Sequence, residues 1–284
     1  MTRIVALLGH PVAHSISPRF QQAALDALDV DARYEAWDTP PADLPIAVER
    51  LRSADLLGAN VTVPHKEAVL RLVDRLDPIA ERVGAVNTIV HRDSLLHATN
   101  TDVAGILKAL EGVELRGASV VLLGAGGAAR AVVVAMYQAG AARLTIANRT
   151  EQRARPLADL VAADMEAAVC PLDSHSEQLR EALHEAQVVV QCTSLGMLHG
   201  PDEAASPVPT DLFAPGQVAF DLVYNPERTP FLCAADRAGA RTIGGLAMLV
   251  HQGAEAFRLW TGLEPPVDVM FEAARSALRE THQG

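Results

Sequence analysis

The sequence predicts an α/β fold in which buried parallel strands alternate with helices. Short apolar runs recur along the chain, and most of them lead through a polar turn into a segment with helical periodicity. The clearest run, Val120 to Leu123, ends at Gly124, and an Ala- and Val-rich helical pattern begins shortly afterwards. With 284 residues, of which 49% are hydrophobic, the chain can form one large or two ordinary domains.

Composition excludes several classes of function. The formal charge of −11, with no basic stripe to offset it, argues against a nucleic-acid partner. No apolar run approaches the length of about 18 residues that a membrane-spanning helix needs. Cys170, Cys192 and Cys233 lack the spacing of a metal site, and we interpret them as small buried side chains in a reducing, cytoplasmic compartment. We therefore predict no metal, no nucleic acid and no membrane partner.

The elements follow from the pattern in chain order. The first part contains predicted strands at 4–8, 33–37, 58–63 and near 84–90, and predicted helices at 17–28, 42–53 and 103–110. The second part contains predicted strands at 119–123, 143–147, 187–191 and 218–222, and a final helix from residue 245 onward. The Pro-rich stretch from Gly200 to Pro215 is interpreted as a surface excursion. We expect the C-terminal helix to pack back on the first part of the chain.

Two serines follow the first strand. Ser17 precedes Pro18, and this pair is typical of a helix start with serine as the N-cap and proline at the first helical position. Ser15 has no such structural duty. On an extended segment the two hydroxyls would face the same way, and beside a helix N-terminus they are suited to hold a small carboxylate.

Polar residues recur at the ends of the next predicted elements. Alternation places Asn60 and Thr62 on one face of a strand that Pro64 ends. Lys66 follows as the next predicted helix begins, where a lysine faces the unfavourable end of the helix dipole, so it is either a solvated side chain or a functional one. Asn87 is suited to close a turn and Asp102 to cap a helix, but site residues in α/β proteins also collect at strand ends.

The glycine-rich turn after Leu123 is the strongest local signal. Gly124 and Gly126 begin a G-x-G-x-x-A pattern completed by Ala129, between a strand and a helix. Glycine lets the backbone approach a ligand closely, and the helix N-terminus favours a phosphate. The next strand ends near Asn148, about 20 residues on, where an NAD site carries an acidic residue.

This chain instead carries Arg149 and Thr150 after that strand, with Arg153 one helical turn further. A guanidinium and a hydroxyl bind a 2′-phosphate, which an acidic residue would repel. The alternative is a solvated helix start with Thr150 as N-cap, and both interpretations can hold together. The pattern predicts a Rossmann-type domain that binds NADP.

Eight segments in order resemble the shikimate dehydrogenase family along nearly the whole chain. They are Gly9-His-Pro-Val-Ala-His-Ser-Ile-Ser-Pro18, Asn60-Val-Thr-Val-Pro-His-Lys-Glu67, Gly84-Ala-Val-Asn-Thr88, Asn100-Thr-Asp102, Gly124-Ala-Gly-Gly-Ala128, Asn148-Arg-Thr150, Asp221-Leu-Val-Tyr-Asn-Pro226 and Met248-Leu-Val-His-Gln252. The resemblance implies NADPH-dependent, reversible reduction of 3-dehydroshikimate to shikimate. It also implies a substrate domain at residues 1–103, completed by residues 240–284, and a Rossmann-type, doubly wound NADP domain at residues 104–239. A homodimer is left open.

The resemblance also assigns roles to residues. Lys66 and Asp102 match the family's catalytic pair. The matching substrate-binding residues are Ser15, Ser17, Asn60, Thr62, Asn87, Thr101, Tyr224 and Gln252. The matching cofactor-binding residues are Gly124, Ala125, Gly126, Gly127, Ala128, Asn148, Arg149, Thr150, Arg153, Thr193, Leu222 and Gly245.

Three alternatives remain at this point. A quinate/shikimate dehydrogenase would use a broader set of substrates on the same fold. A methylenetetrahydrofolate dehydrogenase would need a more aromatic pocket than an aromatic content of 4% indicates. A non-catalytic sensor of shikimate-pathway metabolites would be favoured by loss of Lys66 or Asp102, and both are present.

Overall fold

The chain folds into two compact units. The computed structural model describes residues 2–161, 163 and 165–281. One unit consists of the described residues up to Gly105 together with those from Val250 onward, and the other runs from Ile106 to Leu249. The resemblance places residues 240–249 in the substrate domain, but they lie in the second unit, where the strand at Arg241–Ile243 pairs with the strand at Val218–Asp221.

The first half of the chain alternates strands and short helices. Its elements are β1 (Arg3–Gly9), α1 (Ser17–Ala27), β2 (Ala32–Asp38), α2 (Leu44–Arg50), β3 (Leu56–Val61), β4 (Arg75–Leu76), α3 (Pro78–Val83), β5 (Thr88–Arg92), β6 (Leu95–Thr99) and α4 (Asp102–Ala109). Short 3₁₀ helices lie at Pro41–Asp43 and Ala68–Arg71. The helix predicted at 42–53 is therefore a 3₁₀ turn followed by α2.

The second half continues the alternation. Its elements are β7 (Ser119–Leu123), α5 (Gly127–Gln138), β8 (Arg143–Asn148), α6 (Glu151–Asp159), β9 (Glu166–Pro171), α7 (Glu177–Glu185), β10 (Val188–Gln191), β11 (Val218–Asp221), α8 (Pro230–Arg237), β12 (Arg241–Ile243), α9 (Gly245–Thr261) and α10 (Val267–Thr281). A further 3₁₀ helix lies at Thr210–Leu212.

The first unit contains a mixed sheet with strand order β2-β1-β3-β5-β6-β4. β1 pairs in parallel with β2 and β3, while β5 is antiparallel to both β3 and β6. The C-terminal helices pack on this unit as expected from the sequence. The Trp260 side chain of α9 donates to the backbone oxygen of Ile89 at 2.9 Å, and α10 packs against α1. Gly58, with φ of +147°, leaves the space that Trp260 occupies.

The second unit contains an all-parallel sheet with strand order β12-β11-β10-β7-β8-β9. This is the strand order of a doubly wound dinucleotide-binding fold. The chain adds β8 and β9 on one side of β7 and then β10, β11 and β12 on the other, so the order of addition reverses between β7 and β10. The strands β7, β10 and β11 are apolar apart from one terminal residue each, and nearly all of their residues are buried, as in a parallel sheet that is covered on both faces. In such a sheet ligands bind beyond the carboxyl ends of the strands, at the point of reversal.

Candidate functional site

An ion pair between Lys66 and Asp102 is the centre of the polar cluster in the first unit. Lys66 Nζ lies 2.6 Å from Asp102 Oδ2, and the two side chains are 19% and 5% exposed. Asp102 is the first residue of α4, but both of its carboxylate oxygens bond to side chains. Lys66 lies in a turn before the 3₁₀ helix Ala68–Arg71, so the expectation that it occupies the first turn of a helix is wrong.

Asn87 connects this ion pair to its neighbours. Its Nδ2 donates to Asp102 Oδ1 at 2.8 Å, to Thr101 Oγ1 at 3.0 Å and to Gln252 Oε1 at 3.2 Å. Its Oδ1 accepts from the backbone N–H of Thr101 at 2.7 Å. Asn87, Thr101 and Gln252 are all buried. The sequence suggested only that Asn87 closes a turn. In the structure the Asn87 side chain also orients the Asp102 carboxylate that faces Lys66.

Asn60 extends the cluster along β3. Its Nδ2 donates to the backbone oxygen of Asn87 at 3.1 Å and to Thr88 Oγ1 at 3.2 Å, and its Oδ1 accepts from the Tyr34 hydroxyl at 2.7 Å. Burial raises the pKa of Tyr34, which keeps that hydroxyl protonated as a donor. Thr62 lies just beyond the end of β3, half-buried, with its backbone N–H bonded to Leu8.

The helix-start role predicted for Ser17 belongs to Ser15 in the structure. Ser17 is the first helical residue of α1, Ile16 occupies the N-cap position, and Ser17 makes no side-chain capping bond. The prediction that Ser17 is the N-cap is therefore wrong. Instead Ser15 Oγ accepts from the backbone N–H of Ser17 at 3.2 Å, because its hydroxyl stands where a capping side chain reaches the first turn.

The first unit thus brings an ammonium group, a carboxylate, amides and hydroxyls into one hydrogen-bonded cluster. The ammonium can stabilise an oxygen that becomes negative and can give it a proton. Amides and hydroxyls around it suit a substrate that carries several hydroxyl groups. The sequence-predicted residues that this network joins are Lys66, Asp102, Asn60, Asn87, Thr101 and Gln252.

The glycine-rich turn of the second unit follows β7 as predicted. Gly124 has a φ of +102°, and a Cβ at this position would lie 2.9 Å from Thr193 Cγ2. Only glycine therefore fits this turn without strain. α5 begins at Gly127, so the backbone N–H groups of its first turn and the positive end of its dipole stand next to the turn.

A cavity of about 710 Å³ lies beside this turn. Seven of the predicted cofactor residues line it, namely Gly124, Ala125, Gly126, Asn148, Arg149, Arg153 and Thr193. Gly127, Ala128, Thr150, Leu222 and Gly245 do not line it. Thr150 takes the N-cap position of α6 but makes no side-chain capping bond.

Sequence reasoning missed other residues of this cavity. They are Leu172, Asp173, Ser174, Cys192, Ser194, Leu195, Pro201, Ser206 and Pro207. Most of them follow β9 or β10, so the rule that sites collect at the carboxyl ends of parallel strands is the signal that could have found them. Pro201, Ser206 and Pro207 belong to the stretch from Gly200 to Pro215, so part of this predicted surface excursion lines the cavity.

Two guanidinium groups reach this cavity without an acidic partner among residues 2–161, 163 and 165–281. Arg149 and Arg153 are both exposed, and no ion pair of the described residues includes either side chain. Unpaired guanidinium groups next to a helix N-terminus and a glycine turn suit a ligand with several phosphates. The residues present therefore fit NADP, whose additional 2′-phosphate these arginines can bind.

Two further predicted residues lie on the loop after β11. Tyr224 is half-buried, and burial raises the pKa of its phenol. Leu222 lies against Gly245, where a Cβ would come within 2.4 Å of the Leu222 backbone oxygen. This close approach explains why the chain needs glycine at position 245.

Other kinds of site are not found in the part of the chain that the structure describes. No group of three or more His, Cys, Asp or Glu residues there could hold a metal ion. No described helix has both the length and the apolar character needed to cross a membrane. Cys170, Cys192 and Cys233 are free thiols.

Three family models match successive parts of the chain. The shikimate dehydrogenase substrate binding domain matches residues 7–89, shikimate/quinate 5-dehydrogenase matches residues 106–199, and the shikimate 5′-dehydrogenase C-terminal domain matches residues 245–275. Together they cover most of the sequence.

Individual relatives agree with these models. The NADP-dependent shikimate dehydrogenase of Moorella thermoacetica is 47% identical, over 100% of this chain and 96% of that relative. The Thermus thermophilus shikimate 5-dehydrogenase in complex with NADP(H) and shikimate is 44% identical with a TM-score of 0.86, over 97% of this chain and 99% of that one. A Corynebacterium glutamicum quinate dehydrogenase in complex with NAD is 31% identical with a TM-score of 0.88, over 97% and 99%.

Proposed function

The chain belongs to the shikimate dehydrogenase family, and from this premise we infer that it catalyses the reversible, NADPH-dependent reduction of 3-dehydroshikimate to shikimate. The observation in this structure that supports the inference best is the ion pair between half-buried Lys66 and buried Asp102, with an Nζ to Oδ2 distance of 2.6 Å. An oxidoreductase of this kind must stabilise the charge that develops on the ketone oxygen and must supply one proton. This cluster is equipped to do both.

We propose the following roles in the reaction. When bound, NADPH supplies the hydride. Lys66 stabilises the oxygen of the reacting carbonyl and gives it a proton, while Asp102 holds the ammonium in place and contacts the neighbouring hydroxyl. Asn87 fixes the second oxygen of Asp102, so that the carboxylate cannot turn away from Lys66.

The remaining predicted residues are proposed to bind the two ligands. Ser15 and Ser17 hold the substrate carboxylate, and Asn60, Thr62, Asn87, Thr101, Tyr224 and Gln252 bind its hydroxyl groups. The glycine turn from Gly124 to Ala128 binds the diphosphate, and Asn148, Arg149, Thr150 and Arg153 bind the 2′-phosphate end. Thr193, Leu222 and Gly245 line the rest of the cofactor site. In this division residues 1–103, with the C-terminal helices, supply the substrate-binding residues other than Tyr224. The Rossmann-type unit supplies Tyr224 and the NADP site.

A panel of two substrates and two cofactors tests the proposal. The purified protein is incubated with shikimate or quinate and with NADP or NAD, and the reduced nicotinamide is followed by its absorbance. We expect turnover with shikimate and NADP that exceeds the other three combinations. Equal turnover of quinate would favour the broader quinate/shikimate activity. Binding of shikimate with no turnover by either cofactor would favour the metabolite sensor.

We further propose that the protein acts in the cytoplasm, on the support of its three free cysteines, which suit a reducing compartment. A homodimer also remains a proposal. Light scattering coupled to size-exclusion chromatography measures the mass in solution directly, and a mass of 30.2 kDa would mean a monomer.

A further inference from the structure

Two buried polar residues end adjacent strands of the second unit, and we propose that both are positioning residues for the loops of the cofactor site. Gln191 is the last residue of β10 and Asp221 the last residue of β11, and the two are register partners in the sheet. Both are 0% exposed. The inference rests on the proposed function and adds to it how the loops after these strands are held.

Gln191 holds the loop after β10 by both ends of its amide. Its Oε1 accepts from the backbone N–H of Thr193, and its Nε2 donates to the backbone oxygen of Leu195 at 3.0 Å. Thr193 Oγ1 accepts in turn from the backbone N–H of Leu195 at 3.2 Å. Because the Thr193 methyl group packs where a Cβ of Gly124 would be, fixing Thr193 also fixes one wall of the glycine turn.

Asp221 does the same for the loop after β11. One carboxylate oxygen accepts from the backbone N–H of Val223 at 2.9 Å, and the other accepts from Thr229 Oγ1 at 2.6 Å. Thr229 is the N-cap of α8 and accepts from Leu232 N–H at 3.2 Å. The side chain therefore ties the start of this loop to the helix that follows it. Leu222 and Tyr224, for which we propose cofactor and substrate contacts, lie between Asp221 and Thr229 in the sequence.

The backbone of Gly245 closes the loop from its other side. Gly245 N–H donates to the backbone oxygen of Val223 at 3.3 Å, and its Cα lies so close to Leu222 that a Cβ has no room. A small displacement of Val223 would therefore change the position of Leu222 as well. Small displacements matter at such a site, because reacting groups must be aligned closely for efficient transfer.

A buried carboxylate at position 221 costs free energy, because its charge is removed from water. Burial raises the pKa of Asp221 to about 7, although the hydrogen bonds from Thr229 and Val223 act in the opposite direction. An apolar side chain of similar size would avoid the cost of removing a charge from water. What the carboxylate provides, and an apolar residue does not, is the attachment of Val223 and Thr229.

Gln217 offers a matched control at the amino end of the strands, opposite to Gln191 and Asp221. It immediately precedes β11, is 4% exposed, and donates to the backbone oxygens of Leu183 at 2.7 Å and Ala186 at 2.9 Å. Its Oε1 accepts from Ala214 N–H at 2.9 Å. It attaches loops as Gln191 does, but at the amino end of the strand, away from the glycine turn.

The experiment compares Gln191→Met with Gln217→Met in the full-length protein. NADP binding is measured by titration calorimetry, and the free energy of unfolding by urea denaturation. Both variants should lower the free energy of unfolding, because both lose buried hydrogen bonds. Gln191→Met should also raise the Kd for NADP about tenfold, the equivalent of one or two net hydrogen bonds, while Gln217→Met keeps the wild-type Kd. Equal Kd values in the wild type and both variants would overturn the role of Gln191.

Asp221→Leu and Asp221→Asn test the second residue. Asp221→Leu should lower the free energy of unfolding, because Val223 N–H and the Thr229 hydroxyl lose their buried acceptor. It should also lower kcat about tenfold or more through misplacement of the loop. Asp221→Asn retains an acceptor for Val223 N–H and offers a donor to the Thr229 hydroxyl oxygen. It should therefore keep kcat and the Kd for NADP close to the wild-type values. A folded Asp221→Leu protein with wild-type kcat and Kd would overturn the role of Asp221. Failure of the wild-type protein itself to bind NADP would instead overturn the proposed function, and this inference with it.

Discussion

The polar cluster of the first unit and the cavity of the second unit are built in opposite ways. In the first, the functional side chains bond to one another, with Asn87 joining Asp102, Thr101 and Gln252. In the second, the cavity is shaped by backbone turns, and Arg149 and Arg153 have no ion-pair partner among the described residues. The first arrangement fixes reactive groups before the substrate arrives, and the second leaves binding groups for the ligand to satisfy.

This difference makes a general prediction. Substitutions in the first cluster should reduce turnover most, because they disturb groups that act on the reacting atoms. Substitutions in the second cavity should reduce affinity for NADP most, because they remove a partner for a ligand charge.

Lys66→Ala should have the largest effect on turnover. The change removes both the stabilisation of the developing oxyanion and the proposed proton donor, and each is typically worth about 10²–10³ in rate. The Michaelis constants should change far less, because the remaining polar residues and the cofactor cavity are intact. Steady-state kinetics measures this, with circular dichroism as the folding control. A folded variant with near-normal kcat would show that another group performs the chemistry.

Asp102→Asn should be the next most severe change. Two donors, Lys66 Nζ and Asn87 Nδ2, each face one carboxylate oxygen, at 2.6 and 2.8 Å. An amide offers only one acceptor, so one of these donors would face an NH₂ group, at a cost of about 1–3 kcal/mol. We expect kcat to fall by roughly 10–100-fold with little change in the Kd for NADP. An equal loss of NADP affinity would contradict the division between the two sites.

Arg149→Asp should mainly affect the cofactor. Losing a charge-assisted bond to the 2′-phosphate costs about 1.5–3 kcal/mol, so we expect a roughly tenfold to hundredfold rise in the Michaelis constant for NADP and a weaker preference over NAD. Arg155→Asp is the matched control, since Arg155 is also exposed on α6 but does not line the cavity. If both variants shift the constant equally, the general negative charge is responsible and the phosphate lies elsewhere.

The sequence predicted the strand, turn and helix around the second site because their signals are local. An apolar strand, a glycine turn and a helix are adjacent in the chain, and the structure places them together at Ser119–Gln138. The strand after it ends at Asn148, beside Arg149, as expected. The prediction that Lys66 lies in the first turn of a helix was wrong, because the residues after Pro64 form turns and a 3₁₀ helix rather than an α-helix.

Other features depend on contacts between distant residues and have no local signal. Gln191 and Asp221 look in the sequence like the last residues of two strands, and only their bonds to Thr193, Val223 and Thr229 show what they hold. β9 was missed because its burial alternates along an edge strand, which weakens the apolar pattern. Nor does the sequence show that residues 201–207 fold onto the cofactor cavity.

The two serines provide the smallest predicted effect and the sharpest test of the first site. Ser15→Ala removes the acceptor for Ser17 N–H at the start of α1, and such a loss costs about 1 kcal/mol of stability. Ser17→Ala removes no capping bond, so the free energy of unfolding should stay close to the wild-type value. Both variants should raise the Michaelis constant for shikimate, since both hydroxyls are proposed to bind its carboxylate, and neither should change NADP binding.

Ser176→Ala separates the structural part of this effect from the binding part. Ser176 Oγ caps α7 by accepting from Leu179 N–H at 3.4 Å, in the second unit and outside the proposed substrate residues. It should lower stability as Ser15→Ala does while leaving the shikimate constant unchanged. A Ser15→Ala protein that loses stability but keeps the wild-type shikimate constant would reduce Ser15 to a helix cap. A carboxylate would then have to be held by Ser17 and the first-turn N–H groups of α1.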